Sequence, residues 1–95
     1  MLDKQGRITI IKDVLLRQDL IHAGNEVEVY LSKEEKTLII RPVGNKKRME
    51  GKFFIKRTNM DDKGRLIIPS SIRRVFPTAQ FIPAEKDGDI YILII

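Results

Sequence analysis

Met60-Asp61-Asp62-Lys63-Gly64-Arg65-Leu66-Ile67-Ile68-Pro69-Ser70-Ser71-Ile72-Arg73-Arg74 is the stretch on which the reading of this chain turns. An Asp three residues ahead of a Gly suits a tight turn: the carboxylate accepts backbone N–H groups, and the Gly takes a positive φ that other residues resist. The turn feeds a strand in which side chains alternate, so Leu66 and Ile68 are expected in the core while Arg65 and Ile67 share the opposite face. Pro69 can open a helix without losing a needed donor, Ser70 or Ser71 can cap it, and Pro77 closes it. Ile72, Val75 and Phe76 would form its buried stripe, which turns Arg73 and Arg74 toward solvent.

The same pattern occurs earlier. Leu2-Asp3-Lys4-Gln5-Gly6-Arg7-Ile8-Thr9-Ile10 aligns with Met60 to Ile68 at an offset of 58 positions, residue 2 matching residue 60. A helix is expected over Lys12 to Leu20, where Leu15 and Leu16 stand in place of the Arg pair. Each copy then ends in a hairpin. Glu26-Val27-Glu28-Val29-Tyr30-Leu31 alternates as a half-buried strand does, Ser32 to Lys36 is a charged loop, and Thr37 to Ile40 returns. In the second copy Gln80-Phe81-Ile82 leads through Pro83 to the turn dipeptide Asp87-Gly88 and back along Ile90 to Ile95. Lys52 to Arg57 reads as one more strand, the outer arm of the second turn. Only Met1 and Leu2 precede Asp3, so the first copy is expected to lack that arm. The organisation predicted is a first repeat over 1–42, a basic loop over 43–51 and a second repeat over 52–95.

Charge is concentrated between the copies. The chain has 95 residues, with 18 Lys plus Arg against 13 Asp plus Glu. Residues 1–42 hold seven of each sign and residues 59–95 five of each, so the excess of five lies in 43–58, where Lys46, Lys47, Arg48, Lys52, Lys56 and Arg57 face Glu50. Such a cluster attracts a polyanion through counterion release, or simply keeps a loop solvated. There is no Cys, and His22 stands alone, which excludes disulfides, thiolate nucleophiles and cysteine-type zinc sites. No Gly-rich phosphate loop or paired nucleophile and base is present, so no enzyme, cofactor or small-molecule substrate is expected. No apolar run approaches the ~20 residues of a membrane span, and no signal peptide is legible at the N-terminus; a cytoplasmic protein is expected.

These residues resemble the AbrB-like swapped-hairpin barrels, a family that takes in SpoVT-type regulators, MazE-type antitoxins and MraZ-type tandem-repeat regulators. The second copy is similar almost position for position to the family's Asp, two residues, Gly-Arg, apolar run, Ile-Pro and helix with Arg. The first keeps Asp3, Gly6, Arg7 and Ile10 and departs at Ile11, Leu15 and Leu16. The resemblance implies a mainly β fold with short helices, a swapped-hairpin barrel built from two tandem repeats, and a homo-oligomer. It also implies a transcriptional regulator contacting double-stranded DNA through Arg65, Arg73 and Arg74 of the second copy and Arg7 of the first. Lys63 and Lys4 in the turns, Lys12 early in the first helix and Arg57 on the adjoining strand are expected as auxiliary phosphate contacts.

A plainer account exists for each feature. Gly6 and Gly64 serve turn geometry, and Asp3 and Asp61 cap the turns. Phe53, Phe54, Phe76, Phe81, Tyr30 and Tyr91 read as core or interface residues. The competing function is an oligomeric assembly or protein-interaction module, antitoxin-like modules included, with little affinity for DNA; the degenerate first copy favours it and the intact second copy opposes it.

Overall fold

The alternation in the two hairpin sequences is realised as strands that meet in one sheet. A computed structural model describes residues 6–10, 26–43, 50–61, 64–86 and 89–95. Among these the chain is mainly β, with seven strands and one short helix: β1 (Arg7–Thr9), β2 (Glu26–Ser32), β3 (Thr37–Pro42), β4 (Phe53–Asn59), β5 (Arg65–Ile67), α1 (Ser70–Val75), β6 (Phe81–Lys86) and β7 (Asp89–Ile94). Strands β4-β2-β3-β7-β6 form an antiparallel sheet, and β1 and β5 pair as a separate antiparallel ribbon. The described strands do not close into a barrel. The expected helix over 12–20, the loop residues Lys46 to Arg48 and the Asp87-Gly88 turn lie outside the described residues.

The ribbon joins the two halves of the chain. Arg7 pairs with Ile67, Ile8 with Leu66 and Thr9 with Arg65. The Ile10 N–H donates to the Gly64 carbonyl at 2.7 Å, and the Ile68 N–H donates to the Gly6 carbonyl at 2.9 Å. Exchanging positions 58 apart, 6 with 64 and 10 with 68, converts one of these bonds into the other. On its inner face the ribbon contributes Ile8, Ile10, Leu66 and Ile68, which pack with Val27, Val29, Leu38, Ile40, Ile90 and Ile92 of the sheet in a single core closed by Ile72 and Phe81. Burying each such side chain contributes about 1.5–3 kcal/mol. The described residues of 1–42 and of 52–95 thus share one core.

Several local expectations are corrected. Neither Ser caps α1: Pro69 itself is the N-cap, at φ −54° and ψ 138°, and no side chain bonds there. Its carbonyl accepts from the N–H groups of Ile72 and Arg73 at 3.0 and 3.2 Å, so the extended Pro leaves Ser70 inside the helix. Val75 is 67% exposed while Ile72 is buried. The helix has six residues, under two turns, and its last apolar position reaches only the rim of a shallow groove bordered by Lys36, Ile94 and Ile95. Of the core or interface expectation for Phe53 and Phe54, their exposure of 52% and 55% removes the core half. They lie on β4, an edge strand with a bulge opposite Val29 and Tyr30, where one side of the strand has no neighbour among the described strands. There the Phe54 ring meets Tyr30 edge-on at 5.5 Å, and Lys33 Nζ sits 4.9 Å from the Phe53 ring centre.

At the opposite edge, β6 runs through Pro83. Gln80 and Ile95 exchange backbone hydrogen bonds of 2.8 and 2.9 Å, which fixes the phase of the ladder. Phe81, Pro83 and Glu85 therefore turn their backbone polar groups away from β7, so the N–H that proline lacks falls on the side with no ladder bond to make. None of the described helices is long and apolar enough to cross a membrane.

Candidate nucleic-acid interface

The second turn is built around Asp61. Its Oδ1 accepts the Arg65 N–H at 2.8 Å, its carbonyl accepts the Gly64 N–H at 3.0 Å, and its own N–H donates to the Arg65 carbonyl at 3.0 Å. Gly64 sits at φ +73°, the left-handed region that permits this closure, and Gly6 shares that region at φ +77°. The expected division of faces holds on the ribbon: Ile8 and Leu66 are buried, while Arg7, Thr9, Arg65 and Ile67 share the outer side, with Ile67 46% exposed.

On that outer side Arg65, expected to project freely, is held by the turn. Its Nε donates to Asp61 Oδ2 at 2.6 Å, and Arg7 Nη1 lies 3.9 Å from the same oxygen. The three side chains are about a quarter to a third exposed. One carboxylate oxygen thus holds two guanidinium groups close together. Arg73 extends from α1 onto the first turn, its guanidinium lying against Gly6, and Arg74 is exposed beside it in the same last turn. No carboxylate among the described residues forms an ion pair with Arg73 or Arg74. The fold therefore gathers Arg7, Arg65 and Arg73 at one ribbon, with Arg74 adjacent.

Arg57 does not belong to this group. It stands on β4, directly across from Glu28 in the strand register, and reaches Glu28 Oε2 at 3.4 Å and Glu26 Oε1 at 3.6 Å. Its expected role as an auxiliary phosphate contact meets two carboxylates already in place. Glu28 also accepts the Tyr30 hydroxyl at 3.3 Å. Burial pushes the Tyr30 phenol above its ordinary range, Glu28 adds to the rise, and Arg41 and Arg57 oppose it. Lys4, Lys12 and Lys63 lie outside the described residues, as does Asp3. Among the described residues no group of three His, Asp or Glu side chains could hold a metal ion.

Two participants escaped the sequence reading: Asp61 as the partner of both guanidinium groups, and Gly6 as the surface beneath Arg73. The first had a signal, since an Asp four residues before an Arg around a tight turn brings the two side chains together. The second had none, because it joins residues of different copies. Comparison with protein-family profiles, with curated proteins and with solved structures finds no match for this chain.

Asp61→Asn separates the two roles of this carboxylate. Asn keeps an oxygen for the Arg65 N–H and removes the charge. The partly exposed ion pair contributes about 1 kcal/mol or less, so the melting temperature should fall by no more than ~4–8 °C. With the competing anion gone, affinity for duplex DNA at low salt should rise several-fold, roughly the effect of adding one unit of positive charge. Circular dichroism melts and fluorescence anisotropy check the two halves of this expectation; weakened binding by an otherwise folded variant would contradict it.

Proposed function

We propose that the chain is a double-stranded-DNA-binding transcriptional regulator of the AbrB-like type, in which two tandem copies interlock as a swapped-hairpin barrel. The observation that carries this reading is the gathering of Arg7, Arg65 and Arg73, from both halves of the chain, on one ribbon with Arg74 at its side. Guanidinium groups suit phosphate oxygens and guanine edges. The reciprocal pairing of β1 with β5 supports the tandem-copy reading, because the residues that exchange hydrogen bonds are those that align in the two motifs. Association into a homo-oligomer is supported by the exposed aromatic rings of edge strand β4, which also favour the second reading, an assembly module with little affinity for DNA.

Fluorescence anisotropy with random duplex DNA across a salt series tests the proposal. Three to four phosphate contacts should give a slope of log affinity against log salt near −3, at about −0.9 per contact. Absence of binding at low salt would move the assignment to the assembly module.

A further inference from the structure

Gly6 has a feature that turn geometry does not require. A Cβ built on it would lie 2.8 Å from Arg73 Nη1, 2.9 Å from Cζ and 3.2 Å from Nε. Three atoms of one guanidinium within that distance mean that the planar group lies across the bare Cα of residue 6, with no room for a side chain between them. We infer that Gly6 is a positioning residue for DNA contact: it seats the Arg73 guanidinium on the first turn, next to Arg7, and so pre-orders a side chain that would otherwise sample many rotamers. The inference rests on the DNA-binding reading above.

The physical case has three steps. An arginine on a six-residue helix loses much rotamer freedom when it grips a phosphate, and a group already held in place loses less of it on binding. The seat is supplied by the other copy, so both halves must be folded together for Arg73 to occupy it. The obstacle that a Cβ would create is the far end of a flexible side chain rather than backbone, so a substitution moves Arg73 aside and leaves the fold standing. The sequence also makes the arrangement one-sided. The residue 58 positions before Arg73 is Leu15, so the first copy's sequence has no arginine at the matching position.

A thermodynamic cycle tests this, because Gly6→Ala also introduces an L-residue at positive φ. Gly51 supplies the matched control: it sits at φ +72°, and a Cβ there would meet nothing within 4 Å, so Gly51→Ala brings comparable backbone strain without displacing an arginine. Arg73→Ala should weaken duplex binding roughly tenfold, the size of one charge-assisted contact. Gly6→Ala should give a loss of several-fold with the salt slope little changed, since the charge stays and only its pre-ordering is lost, whereas Gly51→Ala binds as wild type. In the Arg73→Ala background Gly6→Ala should change affinity by less than about twofold, the non-additivity expected of residues acting as a unit. Should Gly6→Ala fail to fold, Gly6→Asn serves, since Asn tolerates positive φ and still fills the seat. Wild-type affinity in the Gly6 variants beside a weakened Arg73→Ala, or a full loss that persists when Arg73 is already gone, overturns the seat and leaves the DNA reading intact. Wild-type affinity in Arg65→Ala, Arg73→Ala and Arg74→Ala alike overturns both.

Discussion

Gly64→Val should abolish cooperative folding or lower stability by about 3 kcal/mol or more. A left-handed backbone costs an ordinary L-residue roughly 1–2 kcal/mol, and a β-branched one more, because its second Cγ crowds the following carbonyl. Gly64 is buried at φ +73°, and three of the bonds that close the ribbon depend on that conformation. Its N–H donates to the Asp61 carbonyl, its carbonyl accepts from Ile10, and Asp61 Oδ1 accepts from the next residue, Arg65. The bond to Ile10 makes the effect non-local: a distorted second turn pulls on β1 of the first copy and loosens the Ile8, Ile10, Leu66 and Ile68 layer over the sheet. Since a domain of this size holds only about 5–15 kcal/mol in total, that loss is visible in a circular dichroism melt. Gly64→Ala should show the milder, strain-only loss of about 1–2 kcal/mol. A Val variant melting within ~2 °C of wild type would mean the turn does not need its left-handed residue.

The turn was legible because its constraints are local. Asp, two residues and Gly prescribe a backbone conformation whatever packs around them, and β2, β3 and α1 follow their hydropathy patterns to within a residue or two. What the patterns did not decide lies on the far side of an element. Phe53 and Phe54 are apolar and β-forming, but nothing in their own sequence says that β4 is an edge strand; that depends on which strands pair, and among the described strands β4 pairs with β2 alone. Val75 has helical spacing with Ile72, yet the helix ends before a wall is built against it. Pro83 is accommodated inside β6 because the ladder phase turns its nitrogen away from β7, which its own sequence does not reveal. The candidate site divides in the same way. Its residue types could be listed from the motif, whereas the Asp61 bond to two arginines and the Arg73 seat on Gly6 depend on the β1–β5 register, a pairing across most of the chain.

Replacing Arg73 and Arg74 together by Ala should reduce affinity for duplex DNA by about 10- to 100-fold near 0.1 M salt, the combined effect expected of two charge-assisted contacts. The slope of log affinity against log salt should become less steep by up to about two. Neither side chain is buried, and among the described residues neither holds an ion pair, so their removal should change the melting temperature little. That combination, a large change in binding at near-constant stability, is what distinguishes them from Arg65. There, loss of the side chain also strips Asp61 of its closest partner and should register in both measurements. The comparison also separates the ribbon from the basic loop of Lys46, Lys47 and Arg48. Charge in a loop adds a nonspecific, salt-sensitive increment whichever way the ribbon faces, so if the loop alone bound DNA, the double Arg variant would keep nearly the full slope. An unchanged affinity and slope would assign the exposed helix arginines to solvation and leave the aromatic edge of β4 as the surface through which this chain acts.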